Sequence, residues 1–146
     1  MSEAMVDFPE KVYDIASAIG WPATIALVKA FGGSEFRIPT FTDRGKRSEI
    51  FSVIREAIGQ ASIEKLCQKY PGELLYIPLC SDVMRELRNK RIRAEHRRLS
   101  QTLGGIRLVS LLGRQYNMSN RCVERIVNST VPQFPPLFDE IEMLVD

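Results

Sequence analysis

Leu108-Val-Ser-Leu-Leu-Gly-Arg-Gln-Tyr116, Asn117-Met-Ser-Asn120 and Arg121-Cys-Val-Glu-Arg-Ile-Val127 follow one another without interruption. Val109, Leu112 and Tyr116 recur at spacings that place them on one helical face. Gly113 falls where a second helix must cross close to the first. Asn117 stands at a turn position that wants a residue tolerant of a left-handed backbone. Ser119 is a natural N-cap for the helix that follows, and Met118, Val123 and Val127 supply its buried side. The stretch therefore predicts a helix-turn-helix. Ser119, Asn120, Arg121, Glu124, Arg125 and Asn128 are left facing outward. Arg and Asn are the side chains that match guanine and adenine edges in the major groove, so Ser119, Asn120, Arg121, Glu124 and Arg125 are the candidate base readers.

The charge is distributed to suit that reading. Residues 1–84 carry nine Lys/Arg against eleven Asp/Glu, residues 85–125 eleven against three, and residues 126–146 none against four, giving −2, +8 and −4. A basic module between acidic flanks fits a phosphate-binding surface attached to something else. Before the helix-turn-helix, Leu79–Leu99 is expected to be helical, with Ser81 as cap and Asp82 in its first turn. Its bases outnumber Glu86 and Glu95, so side-chain pairing along the helix does not account for them. Arg88, Lys90, Arg91, Arg97 and Arg98, joined by Arg107 and Arg114, are the candidate phosphate contacts.

Upstream, the chain repeats itself. Shifting it by 39 residues lays Ile15–Pro39 on Ile54–Pro78, with eight of 25 positions identical, including Gly20/Gly59, Gly33/Gly72 and Pro39/Pro78. Chance would give roughly one or two. Each copy reads as helix, helix, Gly break, strand and Pro, with helices at about Pro9–Ile19 and Trp21–Phe31 in the first. Neither copy covers its apolar faces or satisfies its strand alone. Pairing Glu35–Ile38 with Glu73–Ile77, antiparallel about a pseudo-twofold axis, solves both problems. The expected fold is mainly α with a short two-stranded antiparallel β-ribbon. Residues 1–79 form the duplicated unit, 80–130 the basic helix and helix-turn-helix, and 131–146 a Pro-containing linker with an acidic amphipathic tail. Two roles are open for the tail beyond docking on its own chain: contact with a partner, or shielding of the basic helix.

Cys67, Cys80 and Cys122 make an odd count without C-x-x-C spacing and lie in apolar patterns, so buried thiols in a reducing compartment are expected. The acidic start lacks the pattern of a secretory leader. No stretch approaches the roughly 20 apolar residues that span a bilayer. A soluble cytoplasmic protein without membrane contact is expected. His96, the only histidine, sits amid arginines. With no H-E-x-x-H, P-loop, G-x-S-x-G or Cys/His cluster present, no catalytic residue, metal or cofactor is expected.

Glu73-Leu-Leu-Tyr-Ile-Pro78, preceded by Gly72, resembles the Gly-x-x-x-Tyr-Ile-Pro strand of the Mor transcription activator family. Arg88-Asn89 with Ile92, and Leu112, Tyr116, Met118, Ser119 and Val123 in their spacing, resemble its DNA-binding half. Ile19–Pro39 resembles its dimerisation unit as well as the second copy does. The resemblance implies a phage- or prophage-encoded activator in a bacterial host. It implies paired strands near the minor groove, helix-turn-helix units in the major groove of double-stranded DNA, and contact with RNA polymerase. Arg37 and Tyr76, on the strands, then either reach the DNA backbone or minor groove or form an ordinary cross-strand pair. The sequence departs from the family pattern by carrying two dimerisation-type units and one helix-turn-helix. Both a homodimer and an intrachain pseudo-dimer are compatible with that arrangement. The alternative function is a protein–protein interaction module whose helix-turn-helix no longer binds DNA specifically.

Overall fold

The computed structural model describes residues 5–40 and 42–145. The leader-free reading of the start rests partly on its first four residues, which lie outside that range. The chain divides into two compact units, one of Phe8–Ser81 and one of Asp82–Asp146 with Met1–Asp7. Among the described residues, regular structure consists of helices and one two-stranded antiparallel sheet, so the chain is mainly α with a small β-ribbon.

In the first unit, α1 (Glu10–Ile19) starts after Pro9 and buries Val12, Ile15, Ala16 and Ile19. Gly20 ends it at φ 82° and opens α2 (Trp21–Phe31), which leads to β1 (Glu35–Arg37). With ψ at 163°, that positive φ is open without strain only to a residue lacking Cβ. After the short α3 (Asp43–Lys46), the pattern returns as α4 (Glu49–Ile58), Gly59 at φ 91°, α5 (Gln60–Lys69) and β2 (Leu74–Tyr76). The bounds of α4 and β2 are those of α1 and β1 moved by the repeat length. Sequence patterning did not anticipate α3. Its cap is local: Thr42 Oγ1 accepts from the Gly45 N–H at 3.1 Å.

The two copies close on each other about a pseudo-twofold axis. Helix α1 packs on α5, and α2 packs on α4. The strands pair as Glu35↔Tyr76, Phe36↔Leu75 and Arg37↔Leu74. Exchanging the copies maps the central pair, Phe36 and Leu75, onto itself. The flanking hydrogen bonds obey the same exchange. Gly33 N–H donates to Ile77 O at 2.7 Å and Gly72 N–H to Ile38 O at 3.0 Å; Ile38 N–H donates to Glu73 O and Ile77 N–H to Ser34 O, both at 2.8 Å. The backbone groups that a lone strand would leave unsatisfied are thus bonded inside one chain. Ile15, Ile54, Leu27 and Leu66, two repeat-related pairs, are all fully buried. Truncating either isoleucine to alanine is expected to cost about 2–5 kcal/mol.

One joint between the copies is polar. Lys69 Nζ donates to the Asp14 carbonyl at 2.7 Å, to Asp14 Oδ1 at 3.1 Å and to Ser17 Oγ at 2.8 Å, while the Tyr70 hydroxyl donates to Asp14 Oδ2. The Tyr70 bond first, then Lys69, holds the Asp14 carboxyl below its usual range.

In the second unit, the basic α6 (Ser81–Leu99) precedes α7 (Gly105–Gln115) and α8 (Asn120–Asn128). Ile92, Leu108, Val109, Leu112 and Val123 form its buried cluster, with Leu99, Leu103, Tyr116, Met118, Ile126 and Val127 packed around them. The tail forms α9 (Leu137–Ile141) and a 3-10 turn (Glu142–Leu144). Residues 131–136 are anchored, since the Val6 N–H donates to Gln133 O at 2.9 Å and Met5 bridges Gln133 in parallel. Phe138, Ile141 and Val145 are buried, and the tail's carboxylates engage α6. The tail thus docks on its own chain, and Asp139 and Glu142 cover Lys90 of the basic helix.

Cys67 and Cys80 are buried free thiols, but Cys122 is only half-buried, which corrects the expectation of three buried thiols. Its place in the first turn of α8 sets it between the apolar and outward faces.

Candidate nucleic-acid interface

Helices α7 and α8 cross through the residues that the turn chemistry demands. Asn117 adopts φ 55°, the left-handed conformation that Asn tolerates better than most residues. Ser119 Oγ accepts from the Cys122 N–H at 3.1 Å, capping α8. A Cβ on Gly113 would sit 2.7 Å from the Met118 carbonyl oxygen and 3.3 Å from Asn120 Oδ1, so only glycine permits this approach.

The crossing fixes which side chains face water. Ser119, Arg121, Glu124, Arg125 and Asn128 are exposed on α8. Asn120 does not join them. It is half-buried, and its Nδ2 donates to Ser110 Oγ at 3.0 Å, tying α8 to α7. The sequence placed Asn120 outward on helical spacing alone. Ser110 offered no apolar periodicity to reveal itself as its partner.

The candidate phosphate contacts separate into two groups. Arg97, Arg98, Arg107 and Arg114 are exposed. Lys90 is held by the tail instead: its Nζ donates to Asp139 Oδ1 at 2.5 Å and Glu142 Oε2 at 2.7 Å. Burial alone would lower the Lys90 pKa, but its hydrogen bonds to Asp139 and Glu142 outweigh it and hold the ammonium above its usual range. Arg91 is turned the same way, with Nη1 donating to Val145 O at 3.3 Å. Arg88 is half-buried and gives Nε and Nη2 to Asn89 Oδ1 at 3.3 and 3.0 Å. The basic run was read as one surface, yet its cations face different directions on the helix, and the acidic tail takes those on its side.

Two side chains of α6 outside the candidate sets hold α7 and α8 in place. Arg93 reaches the C-terminal end of α8, where Nε donates to Ile126 O at 3.1 Å and Nη2 to Ser129 Oγ at 2.9 Å. A guanidinium there joins the Ser129 hydroxyl, which donates to the same carbonyl at 2.8 Å, and complements the helix dipole. Glu95 accepts from the Tyr116 hydroxyl at 2.8 Å, joining α6 to α7. Nothing in an Arg-rich run distinguishes Arg93 from its neighbours. The Cys122 thiol is held below its usual pKa first by the Ser119 hydrogen bond, with Arg125 and Arg88 adding to the effect.

On the ribbon, Glu35, Arg37, Leu74 and Tyr76 share the exposed face. Arg37 lies opposite Leu74 and Tyr76 opposite Glu35, so the two candidates are diagonal neighbours. Arg37 Nη1 donates to the Gly72 carbonyl at 2.7 Å. No group of three or more potential metal-ligating side chains gathers among the described residues, and no helix there is long and apolar enough to cross a membrane.

The sequence model of the Mor transcription activator family matches residues 40–132. That span takes in the second helix-helix-strand copy, the basic helix, α7 and α8. The first copy lies outside it, although its backbone repeats the second. No curated protein and no solved structure matches the chain. The family is one of transcription regulators rather than an enzyme class. With more than half of its length matched, this chain belongs to the Mor transcription activator family.

Proposed function

We propose that this chain is a sequence-specific regulator that places α8 in the major groove of double-stranded DNA and activates transcription by touching RNA polymerase. The observation that carries the reading is the outward face of α8. Arg121, Glu124 and Arg125 stand exposed there beside the open Ser119 cap, with exposed Arg107 and Arg114 on the adjoining helix. Arginine offers paired donors to guanine, Glu124 can accept from cytosine, and the helix start favours anionic phosphate. Arg97, Arg98, Arg107 and Arg114 hold backbone phosphates, which fix register without reading sequence. Asn120 ties α8 to α7 from inside the unit, while Lys90 and Arg91 are engaged by the tail. The setting is the cytoplasm of a bacterial cell carrying the phage or prophage that encodes the protein.

Selection from a random duplex pool, followed by titration at several salt concentrations, tests the reading. Arg121→Ala is expected to cost about 1–3 kcal/mol at the selected site and to relax preference at the base it contacts. Arg97→Ala is expected to weaken all duplexes alike and to flatten the salt dependence. Equal losses on selected and random DNA for Arg121→Ala would remove α8 as the reader. Transcription from a promoter bearing the selected site should rise on adding the wild-type chain, and no rise would remove the activator role.

A further inference from the structure

We infer that each chain reads one asymmetric DNA site through a single major-groove contact, rather than one half of an inverted repeat. The inference rests on the DNA-binding reading above and specifies its ligand. Helix-turn-helix dimers favour inverted repeats because a twofold axis relates two readers spaced one helical turn apart. Here the twofold pairing is spent within one chain. Its strands exchange symmetric hydrogen bonds across Phe36–Leu75, and its helices pack α1 on α5 and α2 on α4.

The two copies do not lead to equivalent continuations. After the second, the chain runs through α6 into α7 and α8, and the helix-turn-helix occupies Gly105–Asn128. After the first, residues 40–48 lead to α4, and among those described the four-residue α3 is the regular structure. Nine residues cannot contain a helix-turn-helix. Among the described residues a pseudo-symmetric scaffold therefore carries one reader. Four exposed arginines, Arg97, Arg98, Arg107 and Arg114, are available for phosphates in that one contact. Four contacts correspond to a slope of log K against log salt of about −4, and a two-chain complex would have about twice that.

The test combines selection from a random duplex pool with sedimentation of the full chain, free and bound to the selected duplex. The expected result is a monomeric free chain, a single uninterrupted motif without inverted symmetry, and a complex of one chain per duplex. A duplex carrying the motif twice, inverted and one helical turn apart, is expected to bind two chains with no gain in affinity for the second. An inverted-repeat motif, a two-chain complex on the selected duplex, a free dimer or cooperative filling of the doubled site would overturn the inference while leaving DNA recognition standing. Binding without any selected motif would overturn DNA recognition itself, and the single-site inference would fall with it.

Discussion

Gly113→Ala is the sharpest probe of the α7–α8 crossing, because two opposing effects give it a definite sign. Gly113 lies within α7, and replacing a helical glycine by alanine at an unobstructed position gains about 1 kcal/mol. At this position the new methyl would stand 2.7 Å from the Met118 carbonyl oxygen, against 3.4–4 Å for ordinary contact. The obstacle is backbone and has no rotamer by which to move aside. The same turn is fastened by the Met118 N–H, which donates to Gly113 O at 2.8 Å. Over-packing and the weakened bond together cost about 2–3 kcal/mol. The net expectation is a loss of about 1–2 kcal/mol, a factor of about 5–30 in the opening equilibrium. Native-state hydrogen exchange of the α7 and α8 amides reads that factor directly, because the unique tryptophan, Trp21, reports on the other unit. Unchanged or increased protection would mean that the helices do not approach as described.

Ser119→Ala removes the cap on α8 and is expected to cost about 1 kcal/mol by the same measurement. Ser119→Asp keeps the cap but adds a negative charge at the proposed groove, so it should preserve protection and weaken DNA binding; a loss of protection would show that the hydroxyl does more than cap. Phe138 is fully buried with its ring centroid 5.7 Å from that of Phe134, and Phe138→Ala is expected to cost about 3–5 kcal/mol in urea unfolding. A loss well under that range would make the tail a peripheral strap. Asp14 supplies a pH dependence: its folded pKa is depressed, so its stabilisation is present above the unfolded carboxylate value of about 3.9 and fades as pH falls through the folded value. Asp14→Asn should therefore destabilise the Phe8–Ser81 unit at neutral pH and converge with wild type in strong acid, as followed by Trp21 fluorescence. A difference that persists unchanged into strong acid would exclude the ionised carboxylate as its source.

The backbone of this fold is readable wherever one residue dictates a conformation. Gly20 and Gly59 mark the helix breaks at positive φ, Asn117 the left-handed turn, and Ser119 the cap. The repeat made the pairing deducible, because a strand and two apolar helix faces have few ways to be satisfied together. The side-chain geography was less legible. Helical spacing shows which direction Asn120, Lys90 and Arg91 leave their helices, but not what stands opposite. Ser110 opposes Asn120, Asp139 and Glu142 oppose Lys90, and the Val145 carbonyl opposes Arg91. Those partners are distant in sequence and chemically ordinary, so no local pattern announces them. Helix α3 was missed for a related reason, since a single turn lacks the length for periodicity to emerge.

Two copies of one unit could also pair between chains, each lending a copy to the other, and the contacts formed would be much the same. Entropy separates the alternatives. The nine residues from Thr40 to Ser48 join Pro39 to the start of α4, and a short connection gives its ends an effective concentration in the millimolar range. Exchange between chains would form equivalent contacts while adding the cost of association, about 4–15 kcal/mol. The copies have also diverged at their joints. Asp14, Lys69 and Tyr70 make the polar joint between α1 and the end of α5, whereas the repeat-related positions hold Val53, Ala30 and Phe31. The first copy offers the carboxylate that the second copy's lysine and tyrosine require. A pair of first copies would lack both donors, and a pair of second copies would lack the acceptor. That chemistry selects one partner of each kind, which a single chain already contains. Converting the joint to its apolar counterpart, with Asp14→Val, Lys69→Ala and Tyr70→Phe together, would remove that selectivity. The triple variant is expected to retain a folded Phe8–Ser81 unit but to populate dimers as concentration rises, while the wild-type chain stays monomeric in sedimentation. A wild-type chain that dimerises as readily as the variant would show that the polar joint does not choose the partner.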